Sequence, residues 1–421
     1  MHSNGLGDGD IEEMTSDQID TTLSVQLPRV LNGAKRVLLI VPDTTRTAPI
    51  ADLVQRMLPI IRDCGTHADI IVALGTHLPM ARPDLLKHLG FTEESYSRHF
   101  SNVRLMNHEW DNPNALIKVG VIEEKRVREI SAGLMSESVD LTINRVIADY
   151  DRLLILGPVF PHEIAGYSGG SKYLFPGISG PEIIDAFHWL GAVITNLEII
   201  GKVDNPVREI LREAAGLVPV PVSAISIVTR GETVAHISAG EVDSSWREAA
   251  DVSSRLHVVR KPRRFSRVLS CAPLMYDDLW TGGKCMYKCE SVVEDGGELI
   301  IYAPHVDSLS VVHGEVLERI GYHVRDYFLS DMARFADAPR SIMAVATLIK
   351  GAGVFENGQE RPRIRVSVAS QIPAALCELV DLGYCDPADI DLNEWKNREE
   401  EGIFCVEKAG ETLYLYDDSP A

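Results

Sequence analysis

The chain has 421 residues, and its 41 Lys and Arg against 61 Asp and Glu give a formal net charge of −20 at pH 7. That length exceeds one compact core of usual size and predicts two domains. The acidic balance argues against a nucleic-acid surface and requires any anionic substrate to find its own cluster of Arg, Lys or helix N-termini.

Residues 1–20 are acidic and glycine-rich at their start, lack the basic and apolar segments of a secretory signal, and read as a flexible tail. Residues 36–42 (RVLLIVP) read as a buried strand, 50–64 as an amphipathic helix and 68–73 (ADIIVA) as the next strand, which makes one βαβ unit. Ligands of open α/β sheets bind beyond the carboxyl ends of the strands, where this unit places Asp43-Thr44-Thr45-Arg46 and Gly75-Thr76-His77. A helix at 83–89, the segment NHEWDNP, a strand pair and SVDLTINRVIADYD follow. The strand at 152–157 then delivers residues 161–188, so that three strand ends converge on one site. A helix at 207–215, the β-rich VPVSAISIV and a helix at 245–254 complete an N-terminal domain of residues 21–262.

The basic, proline-containing run 257–265 reads as a linker. A second α/β series occupies 263–400, with strands at 266–271 and 297–303 and helices at 280–293 and 308–320. Segments 342–349, 364–367 and 373–382 continue the alternation, and 401–421 reads as a hairpin packing back on either domain. The fold class is therefore α/β, two α/β domains with mainly parallel sheets. The apolar runs at 37–42 and 153–160 are strand-length, so neither is a bilayer span, and no membrane partner is expected. Seven cysteines without a CxxC pair argue against a disulfide framework and fit a reducing, cytoplasmic location. Cys285 and Cys289 fall four apart, a spacing read as buried free thiols in preference to a metal or redox pair.

The stretch PHEIAGYSGGSKYLFPGISGPEIIDAFH is the most distinctive in the chain. Its His162, Gly166, Gly169, Gly170 and Lys172 suit a loop wrapped around a bound group, because glycine permits tight turns and close backbone approach. Gly180-Pro181 opens a helix that carries His188. Taken one by one, these residues also suit a tight surface turn followed by an ordinary helix. His77, His162 and His188 suit acid–base work, metal binding or plain hydrogen bonding. Arg46 suits either a bidentate grip on a carboxylate or a pair with Asp43. GYSGGSKY has a lysine at the wrong spacing for a P-loop, no GxGxxG follows the first strand, and a three-histidine zinc site would lack the usual HxH or HxxxH spacing.

The ordered set DTTR, GTH, NHEW, INR, H-x3-GYSGG-x-K-x3-PGI-x-G and the downstream His188 resembles the lactate racemase family, whose members use a nickel-pincer nucleotide. The resemblance spans Asp43 to Lys284 and implies a two-domain enzyme with its site in the cleft between domains. It implies a pyridinium-3-thioamide-5-thiocarboxylate mononucleotide carrying Ni(II), tethered covalently at Lys172 within the Gly169-Gly170 loop, with His188 completing the metal's coordination. It further implies His77 and His162 as the acid–base pair. One takes the hydroxyl proton of a 2-hydroxy acid while the Cα hydride moves to the cofactor, leaving a planar 2-keto acid that is reduced on either face. Asp43 and Arg46 match the D-x-T-R signature, with Arg46 steadying substrate or cofactor, and Lys284 matches the family lysine that contacts substrate oxygens.

Three positions depart from that family's pattern: Thr281 where glutamine is common, Trp280 where tyrosine is usual, and Leu78 where arginine often follows GTH. Trp280 and Thr281 would reshape the substrate pocket and point to a 2-hydroxy acid other than lactate, such as malate, a longer aliphatic or aromatic hydroxy acid, or an aldonic acid. Proteins that synthesise the cofactor are implied partners, so a recombinant sample can be empty of it. The rival readings are a zinc-dependent hydrolase using the same histidines and a non-catalytic cofactor-binding protein.

Overall fold

A computed structural model describes residues 11–417. The first ten residues of the expected tail lie outside the described residues. From Ser16 the chain is already helical, and the helix Ser16–Leu31 is capped by Thr15 in a reciprocal box with Gln18. Ile19, Leu23 and Leu27, four residues apart, bury one face of it, which is why this segment packs as part of the core.

The chain divides into two compact units, and they are not two contiguous runs. The first contains the chain up to Phe160, Tyr167–Ile184 and Arg208–Leu256; the second contains Pro161–Gly166, Asp185–Val207 and the chain from His257 onward. His162 and His188, expected in a continuous 21–262 run, thus belong to the second unit.

A six-stranded sheet forms the first unit, in the order Thr233–Gly240, Val222–Arg230, Arg152–Pro158, Arg36–Pro42, His67–Ala73, Leu105–Asn107. All neighbours are parallel except the first pair. The central strands are largely apolar and buried because both faces are covered, as a parallel sheet requires; the buried exception, Asp69, has Arg104 and Tyr150 as partners. Helix Ile50–Asp63 crosses between two of them, with Leu53, Val54, Met57 and Ile61 on its buried face.

The second unit has a five-stranded, fully parallel sheet in the order Gly383–Tyr384, Arg365–Ser370, Val293–Ala303, Phe265–Cys271, Ile403–Val406. The expected linker at 257–265 contains a strand, Val258–Lys261, paired in parallel with Leu413–Tyr416. Among the described residues the expected hairpin at 401–421 does not form, because Ile403–Val406 and Leu413–Tyr416 join different sheets. The helix expected at 280–293 is broken into Leu279–Gly282, Lys284–Tyr287 and a 3₁₀ turn at Glu290–Val292. Gly283 sits where a Cβ would lie 2.7 Å from Ile349, and Asp278 caps only the first turn. The helix expected at 308–320 begins only at Gly314, since the Ser310 hydroxyl accepts the amides of Val312 and His313 and so offers them a non-helical partner. Among the described residues no helix is long and apolar enough to cross a membrane.

Candidate active site

Adjacent parallel strands pair Pro42 with Ala73, so the loops that follow them emerge side by side. Across them the Nδ1–H of His77 donates to Oδ2 of Asp43. The other carboxylate oxygen of Asp43 accepts from the Thr45 hydroxyl at 2.7 Å and the Thr45 amide at 3.1 Å. Burial alone would raise this carboxyl. The charge and hydrogen bond of His77, the Arg46 guanidinium and the Thr45 hydroxyl outweigh it and hold Asp43 well below the usual carboxylate range. Arg46 folds back so that Nη1 lies 3.3 Å from both the carbonyl and the hydroxyl of Thr45.

The third strand end joins these two. Gly157, in strand Arg152–Pro158, is needed because a Cβ there would come within 2.2 Å of the Tyr173 hydroxyl. Tyr173 is buried, and burial raises its phenol despite the nearby Arg46. The Gly75 amide donates to the Gly177 carbonyl at 3.1 Å, so the GTH loop is tied to the PGI segment.

Lys172 sits half-buried in the 3₁₀ turn Gly170–Tyr173, and the two glycines before it have φ of +80° and +60°. They also allow close packing: a Cβ at 169 would lie 2.8 Å from Val159, and one at 170 would lie 2.9 Å from the Trp246 ring. Two residues absent from the sequence reading secure this loop. Arg208, 1 % exposed, donates to the carbonyls of Tyr167, Ser168 and Gly169, and its guanidinium lies 4.0 Å over the Trp246 ring. The Trp246 indole donates to the Ser168 carbonyl at 2.8 Å. Burial and the like charge of Arg212 push the Arg208 guanidinium down to about 9. The sequence signal for Arg208 is faint: an arginine on the buried face set by Val207, Ile210, Leu211 and Ala214.

The NHEW and INR motifs meet each other in the first unit. His108 donates from Nε2 to the Ser179 carbonyl at 2.9 Å and accepts from Asn144 at Nδ1 (3.1 Å). This buried network joins both motifs to the end of the Lys172 segment.

In the second unit, His162 is buried, and its Nδ1 accepts the Ile164 amide at 3.2 Å. The Glu163 carboxylate lies 3.4 Å from the same nitrogen. Lys288, 2 % exposed, donates to the Pro161 carbonyl and so anchors this loop. Gly191 in helix Pro181–Ile194 packs onto Ile164, where a Cβ would lie 2.6 Å away. His188 is three residues earlier on the same helix face, half-buried beside Phe187.

The Trp280 and His313 rings lie 4.7 Å apart at an interplanar angle of 48°, and the Lys284 ammonium lies 4.6 Å over the Tyr276 ring. The Thr281 hydroxyl donates to Asp278 at 2.7 Å and its amide to the same carboxylate at 2.9 Å. Its proton is thus used in the cap of the short helix Leu279–Gly282. Cys285 and Cys289 are buried free thiols; burial raises both, Cys289 to about 12. His323, Glu360 and Asp381 bring ligand atoms within 4.8 Å of one another, but the Lys350 ammonium sits 2.6 Å from Asp381 and already supplies a cation.

A family model described as lactate racemase N-terminal domain matches residues 10–199. Lactate racemase of Thermoanaerobacterium thermosaccharolyticum is 22 % identical over 286 residues, 67 % of this chain and 63 % of that protein. Lactate racemase of Lactiplantibacillus plantarum is 27 % identical over 180 residues, 42 % of this chain and 38 % of that one. In sequence, the chain therefore spans less than two thirds of the length of these relatives. A Thermotoga maritima protein of known crystal structure superposes with a TM-score of 0.88 at 29 % identity, covering 96 % of this chain and 99 % of that one. The lactate racemase apoprotein of T. thermosaccharolyticum superposes with a TM-score of 0.69 at 17 % identity, covering 97 % and 93 %, and so shares the fold.

Proposed function

We propose that this chain, which belongs to the lactate racemase family, is a racemase or epimerase of a 2-hydroxy acid that works with a nickel-pincer nucleotide tethered at Lys172. The observation that carries the reading is the Asp43–His77 hydrogen bond at the ends of two adjacent parallel strands. A carboxylate that holds Nδ1–H leaves the lone pair of the neutral ring on Nε2, the state a general base needs.

His162 has the complementary arrangement. Its Nδ1 accepts an amide hydrogen, so the neutral ring carries its proton on Nε2, the state that can return a proton. Glu163, beside the same Nδ1, is a ready partner when the ring gains a second proton. A reaction run in both stereochemical directions needs two such groups, each able to take and to give.

The side chains present suit the cofactor chemically. Lys172 offers a primary amine on a turn secured by Arg208 and Trp246, and His188 offers an imidazole, a good donor to Ni(II). Bound there, the nickel-pincer nucleotide supplies a reversible hydride acceptor. Arg46 and Lys284 are the cations assigned to the substrate's carboxylate or the cofactor's polar groups. The substrate class we propose is a hydroxy acid other than lactate, such as malate, a longer aliphatic or aromatic hydroxy acid, or an aldonic acid; it rests on the departures at Trp280 and Thr281 from the family's pattern. The reading places the protein in the cytoplasm, where cofactor-synthesis proteins would load it.

The test couples intact mass to turnover. Enzyme expressed with the cofactor-synthesis proteins should carry a mass adduct that Lys172→Ala abolishes together with activity, whereas His162→Ala should keep the adduct and lose turnover. Single enantiomers of a panel of 2-hydroxy acids then identify the substrate. An active Lys172→Ala enzyme would refute the assignment, and turnover of lactate far above every other acid would refute the substrate class.

A further inference from the structure

The helix that carries His188 ends at a small cavity inside the second unit, of about 20 Å³, lined by Thr195, Asn196, Glu290, Arg325 and Thr347. Two polar atoms in this lining, the side-chain oxygens of Asn196 and Thr347, are buried without a hydrogen-bond partner. The residues are 4 % and 5 % exposed. Unpartnered buried polar atoms are destabilising, so two of them on residues that line one cavity call for an explanation.

The orientation of Asn196 is settled by its other contacts. Its Nδ2 donates to the Tyr287 carbonyl and to Oε2 of Glu290, both at 3.0 Å, so the amide cannot flip to satisfy Oδ1. Oε1 of Glu290 is taken by the Ala352 amide at 2.7 Å. Whatever satisfies Asn196 Oδ1 must therefore donate a hydrogen bond or carry positive charge, and the Thr347 hydroxyl can donate to it in turn.

We infer that this cavity binds one ordered water, which donates to Asn196 Oδ1 and accepts from the Thr347 hydroxyl. A volume of about 20 Å³ holds one water, since roughly 10–15 Å³ suffices, and the lining offers the two to four polar partners a buried water needs. A monovalent cation would find a carboxylate and two neutral oxygens here. It would also meet the Arg325 guanidinium, which lines the cavity while holding Asp326 at 3.0 Å and the Val193 carbonyl at 2.6 Å. Charge therefore favours the neutral ligand. The water would link Asn196, just past the end of helix Pro181–Ile194, to helix Arg340–Lys350. This places a fixed point at the C-terminal end of the helix whose middle bears His188.

Isosteric substitution of the full chain distinguishes a satisfied hydroxyl from an orphan. Thr347→Val removes the oxygen at constant shape. If water bridges the pair, the unfolding equilibrium constant from urea titration should rise about 5- to 10-fold, while Thr347→Ser should stay near wild type. An unchanged or more stable Thr347→Val protein would show an orphan and overturn the proposal. A crystal structure gives the second readout: one density peak within about 3.2 Å of both oxygens is expected. No peak, or a peak replaced by anomalous scattering when crystals are soaked in rubidium or thallium salts, would overturn it.

Discussion

Asp43 and His77 stand 34 residues apart and are joined by one hydrogen bond, Nδ1–H of the imidazole to Oδ2 of a carboxylate that Thr45 grips twice from its other side. Removing the charge while keeping the shape tests what that bond does. In Asp43→Asn, the amide can turn its NH₂ group towards Nδ1 and leave the ring proton on Nε2, which would disable the base we propose. Turnover should fall by about 10²- to 10⁴-fold, the range that a positioned acid or base contributes, while the mass adduct at Lys172 persists. Equal loss of adduct and activity would reassign Asp43 from the proton-transfer step to holding the cofactor.

The buried His108 predicts an acid-sensitive fold. Burial lowers it to about 4, despite the Ser179 carbonyl and the charges of Glu109 and Asp111, which raise it. The unfolded chain takes up this proton below about pH 6.5, whereas the folded chain resists until about pH 4. Its contribution to stability is therefore complete above about pH 6.5 and is lost as pH falls towards 4, by an amount on the order of 3 kcal/mol. Urea midpoints at pH 7 and pH 4.5 should differ more for the native chain than for His108→Gln. The same difference in both would remove His108 as the cause.

How far the sequence discloses the site depends on the reach of each interaction. Strand 36–42, strand 68–73 and strand 152–157 are legible because a doubly covered parallel strand is a mostly apolar run, and that pattern is local. Their adjacency brings Asp43, His77 and Tyr173 together, as the convergence of three strand ends required. The failures involve competition that no local pattern records. Ser310 draws amides away from a helix, Gly283 packs against Ile349, and the strands Ile403–Val406 and Leu413–Tyr416 find separate partners where a hairpin seemed natural. Thr281 stands out in sequence only as a departure from the family's glutamine; that its hydroxyl donates to the Asp278 carboxylate, three residues earlier, is a contact that no sequence pattern records.

Arg208 is the sharpest case of a residue that acts on the site without belonging to it. Its guanidinium satisfies three successive carbonyls, those of Tyr167, Ser168 and Gly169, immediately before the turn that bears Lys172. It also covers the ring of Trp246, against which Gly170 is packed. A methionine here would fill much of the same volume but leave buried carbonyls without donors, each costing about 1–3 kcal/mol. Arg208→Met should therefore lower stability by an amount on the order of 3 kcal/mol. Arg208→Lys, with one point charge in place of a planar fork, should recover only part of it. If the fork sets the turn, the fraction of chains carrying the Lys172 adduct should fall in both variants, even at temperatures where circular dichroism shows them fully folded. Full adduct loading in a destabilised Arg208→Met protein would reduce Arg208 to a core residue with no hold on the tether.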